Sequence, residues 1–74
     1  MLDEAQIYFR KGVELAKMGK WEDAAKAYQE VLRVHPNDAQ TYLNLGFVYY
    51  ELGYDAEAQQ AFERARKLQS CCGK

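Results

Sequence analysis

The most restrictive feature of this sequence is that it contains the same unit twice. Displacing the chain against itself by 34 residues sets Tyr8 on Tyr42, Gly12 on Gly46, Gly19 on Gly53, Ala24 on Ala58 and Ala27 on Ala61. Ala5 and Gln6 recur as Ala39 and Gln40, while Met18/Leu52, Asp23/Glu57, Tyr28/Phe62 and Val34/Leu68 keep size or charge. A fixed period of this length marks a supersecondary unit that buries its apolar face only by stacking on a neighbour. Two such units fill the 74 residues, so residues 1–74 are expected to form one domain. A chain this short buries only about 60% of its unfolded surface. Efficient packing or self-association is therefore expected.

Within each unit the apolar spacing is helical. Ala5, Tyr8, Gly12 and Leu15 in the first unit, and Tyr42, Leu45, Gly46, Tyr49 and Leu52 in the second, recur at three- and four-residue steps. Gly19 and Gly53 follow where a left-handed residue ends a helix, and a second periodic run begins near Trp21 and near Asp55. Between the units, Val34-His35-Pro36-Asn37-Asp38 stops one helix ahead of the proline and offers Asn37 or Asp38 as the next N-cap. The spacing predicts an all-α chain with helices near 3–17, 21–34, 38–52 and 55–70, followed by a frayed tail over 71–74.

These residues carry a resemblance to the tetratricopeptide repeat family over nearly the whole chain. The second unit has Tyr42-x-x-Leu45-Gly46-x-x-Tyr49, then Gly53, Ala58, Phe62 and Ala65; the first has Tyr8, Gly12, Gly19, Ala24, Tyr28 and the closing Pro36, with Trp21 just after the turn. Repeat one spans about 5–38 and repeat two about 39–72. The resemblance implies two helix-turn-helix units stacked as a short right-handed α-solenoid. Gly12, Gly46, Ala24 and Ala58 would let the paired helices approach closely, with Tyr28 and Phe62 filling the space beside them. Three positions depart from the family pattern: Lys11 replaces a leucine, Asp55 an aromatic and Ser70 a proline. In a solenoid the outermost helices turn polar on the side that has no neighbour. Accordingly Lys11 and Glu14 correspond to Leu45 and Val48, and Asp55, Gln59 and Arg66 correspond to Trp21, Ala25 and Leu32. The pattern reads as a two-unit array with solvated ends.

A surface helix needs one apolar stripe, yet both leading helices carry a second. The first shows Phe9, Val13 and Ala16, and the third shows Leu43, Phe47 and Tyr50. The resemblance implies that the leading helices line a concave surface holding a partner's extended or helical segment. Phe9, Val13, Leu43, Phe47 and Tyr50 would form its apolar floor, rimmed by Gln6, Lys17, Gln40, Asn44 and Glu51. Three readings stand side by side: a peptide-binding groove, self-association through the same surface, and plain packing. Some family members clamp a carboxylate tail with basic and asparagine side chains. Asn44 matches one such position, but Phe9 and Val13 stand where that clamp needs a lysine and an asparagine, which favours an apolar segment as ligand.

Other function classes find little in the sequence. Ten basic residues against 11 acidic give a net charge of -1, which exerts no general attraction on nucleic acid or an anionic membrane. No apolar run approaches the roughly 20 residues of a membrane span, and the acidic N-terminus is unlike a secretory signal, so a cytoplasmic location is expected. Glu22/Asp23 and Glu51/Asp55 read as solvated faces or helix starts, not as paired catalytic carboxylates. His35, the single histidine, reads as a helix-end residue, and Arg64, Arg66 and Lys67 as balancing the last helix's C-terminus. No phosphate-binding loop, metal cluster, cofactor motif or nucleophile-histidine pair stands out, so the chain is expected to be non-enzymatic. Cys71 and Cys72 read as exposed thiols of an incidental tail, with intermolecular disulfide, lipidation or metal binding as the alternatives.

Overall fold

Four helices make up the described chain. The structure, a computed structural model, describes residues 3–73, with side chains over 3–69. In order the helices are α1 (Glu4–Lys17), α2 (Trp21–Val34), α3 (Ala39–Leu52) and α4 (Asp55–Gly73). α1 packs on α2, α3 on α4, and α2 joins the two pairs by packing on α3. The first three helices start or stop within one residue of the sequence expectation. Asp38, one of the two N-cap candidates, precedes α3 in that role, and Asp3, expected inside α1, likewise precedes it as N-cap. α4 departs further, running to Gly73 through the segment expected to fray. Between Gly53 and Gly73 the sequence holds neither glycine nor proline, so nothing local stops the helix at 70.

The two interhelical turns are the same turn. After α1, the Lys20 N–H donates to the Leu15 carbonyl at 2.9 Å and Gly19 N–H to the Ala16 carbonyl at 3.0 Å. After α3, Tyr54 donates to Tyr49 at 2.9 Å and Gly53 to Tyr50 at 3.0 Å. This crossed pair of bonds needs a left-handed residue at its centre. Gly19 and Gly53 supply it with φ of 77° and 85°, a region that costs a side-chain-bearing residue roughly 1–2 kcal/mol.

Inside each unit a glycine and an aromatic ring interlock. A Cβ on Gly12 would lie 2.7 Å from Cε1 of Tyr28, and a Cβ on Gly46 would lie 2.6 Å from Cε1 of Phe62. The ring therefore occupies the space that a side chain on the facing helix would take, so α1 meets α2, and α3 meets α4, at close range. Between the units, Ala24, Ala25, Tyr28, Leu45 and Val48 form one buried cluster, with Trp21, Leu32, Phe9 and Val13 packed around it. Leu45 is 4% exposed and Val48 2%, whereas their counterparts Lys11 and Glu14 are exposed. The polar substitutions at the ends of the array thus fall on surfaces that no helix covers among the described residues. Thr41 is fully buried, and its hydroxyl donates to the Asp38 carboxylate at 2.9 Å. Gln29 of α2 reaches the hydroxyl of Tyr49 in α3 at 2.9 Å.

The interlock makes Gly12→Ala a stringent test. Tyr28 is only 2% exposed and its ring has nowhere to turn, whereas Phe62 is half-buried and can give way. Overpacking of this kind costs about 1–3 kcal/mol, against a gain in helix propensity of under about 1 kcal/mol. Urea unfolding is expected to show Gly12→Ala destabilised and Gly46→Ala affected less; equal or reversed effects would show that the rings do not set the helix spacing.

Candidate functional site

The second apolar stripe exists in the fold, but it is uneven. Phe9, Val13 and Leu43 are half-buried, whereas Phe47 and Tyr50 are 57% and 64% exposed. Phe9 and Val13 pack against the central cluster, and the Phe9 ring lies 5.7 Å from that of Tyr28. Phe47 meets Phe62 edge-on at 5.4 Å and leaves much of its surface open. Val13 is half-buried and its counterpart Phe47 is open, in keeping with a following unit beside the first stripe and none beside the second among the described residues; Leu43, the counterpart of Phe9, is half-buried in its own unit. An exposed apolar strip therefore runs along α3, with Phe9 and Val13 at its inner edge.

The polar residues beside the strip differ in how they are held. Gln6, Lys17, Gln40 and Glu51 are exposed and Asn44 is half-buried. Gln40 Nε2 donates to Asn44 Oδ1 at 3.1 Å, and Asn44 Nδ2 lies 3.5 Å from the Tyr28 hydroxyl. Burial pushes the Tyr28 hydroxyl above its ordinary pKa; it stays a neutral phenol and accepts the amide's hydrogen. Asn44 is thus already engaged within the fold, and Phe9 and Val13, which stand at two other positions of such a clamp, offer only carbon. A carboxylate arriving here would meet no cation from either of those positions.

The remaining residues singled out in the sequence take structural places. His35 caps α2, its N–H donating to the Val31 carbonyl at 2.7 Å. Its ring Nε2 reaches the Asp3 carboxylate at 2.6 Å. Arg33 bridges Glu30 at 2.9 Å and Glu4 at 3.4 Å. The start of α1 is thereby tied to the end of α2. Arg64, Arg66 and Lys67 do not lie at the end of α4: the helix continues to Gly73, and the Arg64 guanidinium sits 5.6 Å from the centre of the Tyr42 ring. Glu22, Asp23, Glu51 and Asp55 are exposed. Among the described residues no three His, Cys, Asp or Glu side chains group to hold a metal, and no helix is long and apolar enough to cross a membrane. The side chains of Cys71 and Cys72 lie outside the described residues.

Two features were not anticipated from the sequence. An open depression of about 1030 Å³ lies at the start of α1, where Gln6, Phe9 and Gln40 meet Ile7, His35 and Asp38. Ile7 is half exposed there because it occupies the place in the unit that buried Thr41 holds against α2. A second depression opens on the outer side of α4, where Leu43, Tyr50, Ala58 and Phe62 meet Asp55, Gln59 and Arg66. The 34-residue offset already marks both faces as ends; their apolar content emerges only when α1 and α3 are placed beside their partners.

Comparison with known proteins agrees with this architecture. A family model described as TPR repeat matches residues 12–53, and one described as tetratricopeptide repeat matches residues 39–70. The chain belongs to the tetratricopeptide repeat family. Tetratricopeptide repeats are protein–protein interaction modules. Similar proteins include Hsp70-Hsp90 organizing protein 1 of Glycine max, 35% identical over 68 residues, 92% of this chain and 11% of that protein. Protein O-mannosyl-transferase Tmtc3 of Drosophila melanogaster is 33% identical over 64 residues, 86% of this chain and 7% of that protein. Protein CTR9 homolog of Arabidopsis thaliana is 31% identical over 61 residues, 82% of this chain and 6% of that protein. This tetratricopeptide repeat chain thus spans about a tenth or less of the length of these relatives, through its repeats.

The Asp3–His35 contact gives the repeat pair a pH signature. The hydrogen bond from His35, then that from the Ala5 N–H, hold the Asp3 carboxyl below its ordinary pKa. Because the folded-state value is the lower one, the contact stabilises the fold above the ordinary carboxylate range. That contribution disappears as pH falls through the lowered value. Asp3→Asn keeps an N-cap but cannot titrate. Melting followed by circular dichroism across acid pH is expected to show wild type losing more stability than Asp3→Asn as pH drops below the carboxylate range. Parallel curves would mean that the contact carries no linkage.

Proposed function

We propose that this repeat pair binds an apolar or amphipathic peptide segment of a partner protein along its leading helices, without catalysis. The observation that carries this reading is the exposure of Phe47 and Tyr50 on one face of α3, beside Leu43 and the inner edge of Phe9 and Val13. Large apolar side chains left open in a contiguous strip tend to mark interaction surfaces. Central aromatics tend to dominate the energy of such contacts. The family resemblance supplies the concave setting, and Gln6, Lys17, Gln40 and Glu51 offer a polar margin for a ligand's backbone and ends. The chemistry of the strip favours carbon over carboxylate, because Phe9 and Val13 stand where a tail-binding clamp needs a cation and an amide. A chaperone tail, suggested by the name of the soybean relative, is therefore a weaker fit than an apolar segment. The alternative is self-association through the same apolar surface, which adjoins the outer side of α4 where Leu43 and Tyr50 also line a depression.

The reading is tested with peptides selected from a displayed library against the wild-type chain, each then titrated by calorimetry. Phe47→Ala is expected to weaken binding about 30-fold or more, as loss of a central aromatic does, while helicity is retained. Amide resonances of Leu43, Phe47 and Tyr50 should move on binding. Undiminished affinity in Phe47→Ala, shifts confined to α2 and α4, or no selected peptide at all would each overturn the groove assignment.

A further inference from the structure

We propose that the outer side of α4 is a two-fold contact surface for a second copy of this chain. The internal repeat shows what this kind of face holds. One unit earlier, the equivalent side of α2 is covered by α3, whose Leu45 and Val48 close over Ala24, Ala25 and Tyr28. On α4 the equivalent positions are Ala58, Gln59 and Phe62; Ala58 is already buried within its own unit, and the depression beside Gln59 and Phe62, about 640 Å³, stands open.

A second copy does not fill it by continuing the array. In that arrangement Lys11 and Glu14 of the incoming α1 take the places of Leu45 and Val48, which are 4% and 2% exposed. Two charged side chains would be carried out of water onto Ala58 and Phe62, with the Gln59 amide their one polar neighbour among those three. Burial of that kind is strongly unfavourable. The charges of α1 therefore disfavour head-to-tail stacking.

A two-fold axis removes the conflict. Asp55, Gln59, Phe62, Arg66 and Gln69 recur at alternating four- and three-residue steps, the spacing of a helix seam that packs on another helix. When α4 lies antiparallel to its copy, centred between Gln60 and Ala61, Asp55 falls opposite the partner's Arg66. Symmetry repeats the pair at the other end, about 16 Å away along the helix. Gln59 falls opposite the partner's Phe62, and Glu63 opposite the partner's Ala58, so no like charges meet. The seam then has ion pairs at its ends and Phe62 at its centre, bordered by half-buried Leu43 and exposed Tyr50, the usual layout of an apolar core within a polar rim. The same charges that make the end of the array polar are self-complementary under this one operation. Leu43 and Tyr50 border both surfaces, whereas Asp55 and Arg66 belong to this one alone, so the charge-reversal variants test it apart from the peptide groove.

Sedimentation equilibrium in reductant, across a concentration series reaching about 1 mM, tests the contact. The wild-type chain is expected to show a concentration-dependent monomer–dimer equilibrium. Asp55→Lys and Arg66→Glu, each checked for helicity, should each weaken it about ten-fold or more, because each sets like charges together at both ends of the seam. An equimolar mixture of the two variants should recover a dimer, since every lysine or arginine then faces a carboxylate. On dilution of the wild-type chain, amide resonances along 55–69 should move while those of α1 stay fixed, a readout that needs no variant. A monomer throughout, variants that associate like wild type, a mixture that fails to recover, or dilution shifts on α1 would overturn the proposal.

Discussion

Everything else in this fold depends on the contact between α2 and α3. Each helical pair alone presents one side with nothing to cover it, and the chain has only two pairs. Leu45 and Val48 close over Ala24, Ala25 and Tyr28, which converts two hairpins into one body. Full burial of a side chain such as Leu45 contributes about 1.5–3 kcal/mol, a large share of the stability expected of so short a chain. The small residues at Ala24 and Ala25 let the backbones approach, and the Tyr28 ring, seated on Gly12, completes the surface that α3 meets. One aromatic thus serves two contacts: it sets the spacing of α1 and α2 and forms part of the floor beneath α3.

The functional surface follows from the same contact. Toward its later turns the leading-helix stripe is more covered where another unit lies beside it, as at Val13, than where none does, as at Phe47. Phe9 and Val13 are half-buried, while Phe47 and Tyr50 stand in solvent. The exposed strip lies at the end of the array that carries Asp55, Gln59 and Arg66 in place of Trp21, Ala25 and Leu32. The leading helices and the outer side of α4 therefore present adjoining surfaces of different character. The first is mainly carbon with a polar margin; the second is a carbon seam between opposite charges. The peptide ligand argued for one and the second copy argued for the other differ for that reason.

Much of this was legible in the sequence, because a repeat supplies its own control. Each position in one unit has a counterpart whose chemistry shows what its surroundings require. Gly19 against Gly53 marked the left-handed turns, Gly12 against Gly46 the close approach, and Lys11 against Leu45 the uncovered side. What the pattern did not show depends on contacts that differ between the units. The Asp3–His35 bond joins the start of one helix to the end of another, and its counterparts, Asn37 and Gln69, are uncharged amides that cannot make a carboxylate–imidazole pair. Arg64 lies beside Tyr42, whereas the first unit has Glu30 and Tyr8 at those places. The end of α4 was expected near 70, yet the sequence holds no glycine or proline to stop the helix before Gly73. The unequal exposure along the stripe follows from neighbours in space, which helical periodicity does not encode.

The α2–α3 contact is expected to make the two repeats fold as one. Native-state amide hydrogen exchange, followed residue by residue at low denaturant, tests it directly. Amides in α2 and α3 are expected to share one opening free energy, equal to that of global unfolding, with α1 and α4 opening at or below it from the ends inward. If the amides of α1 and α2 exchange together at one level and those of α3 and α4 at another, the units are independent and the account is wrong.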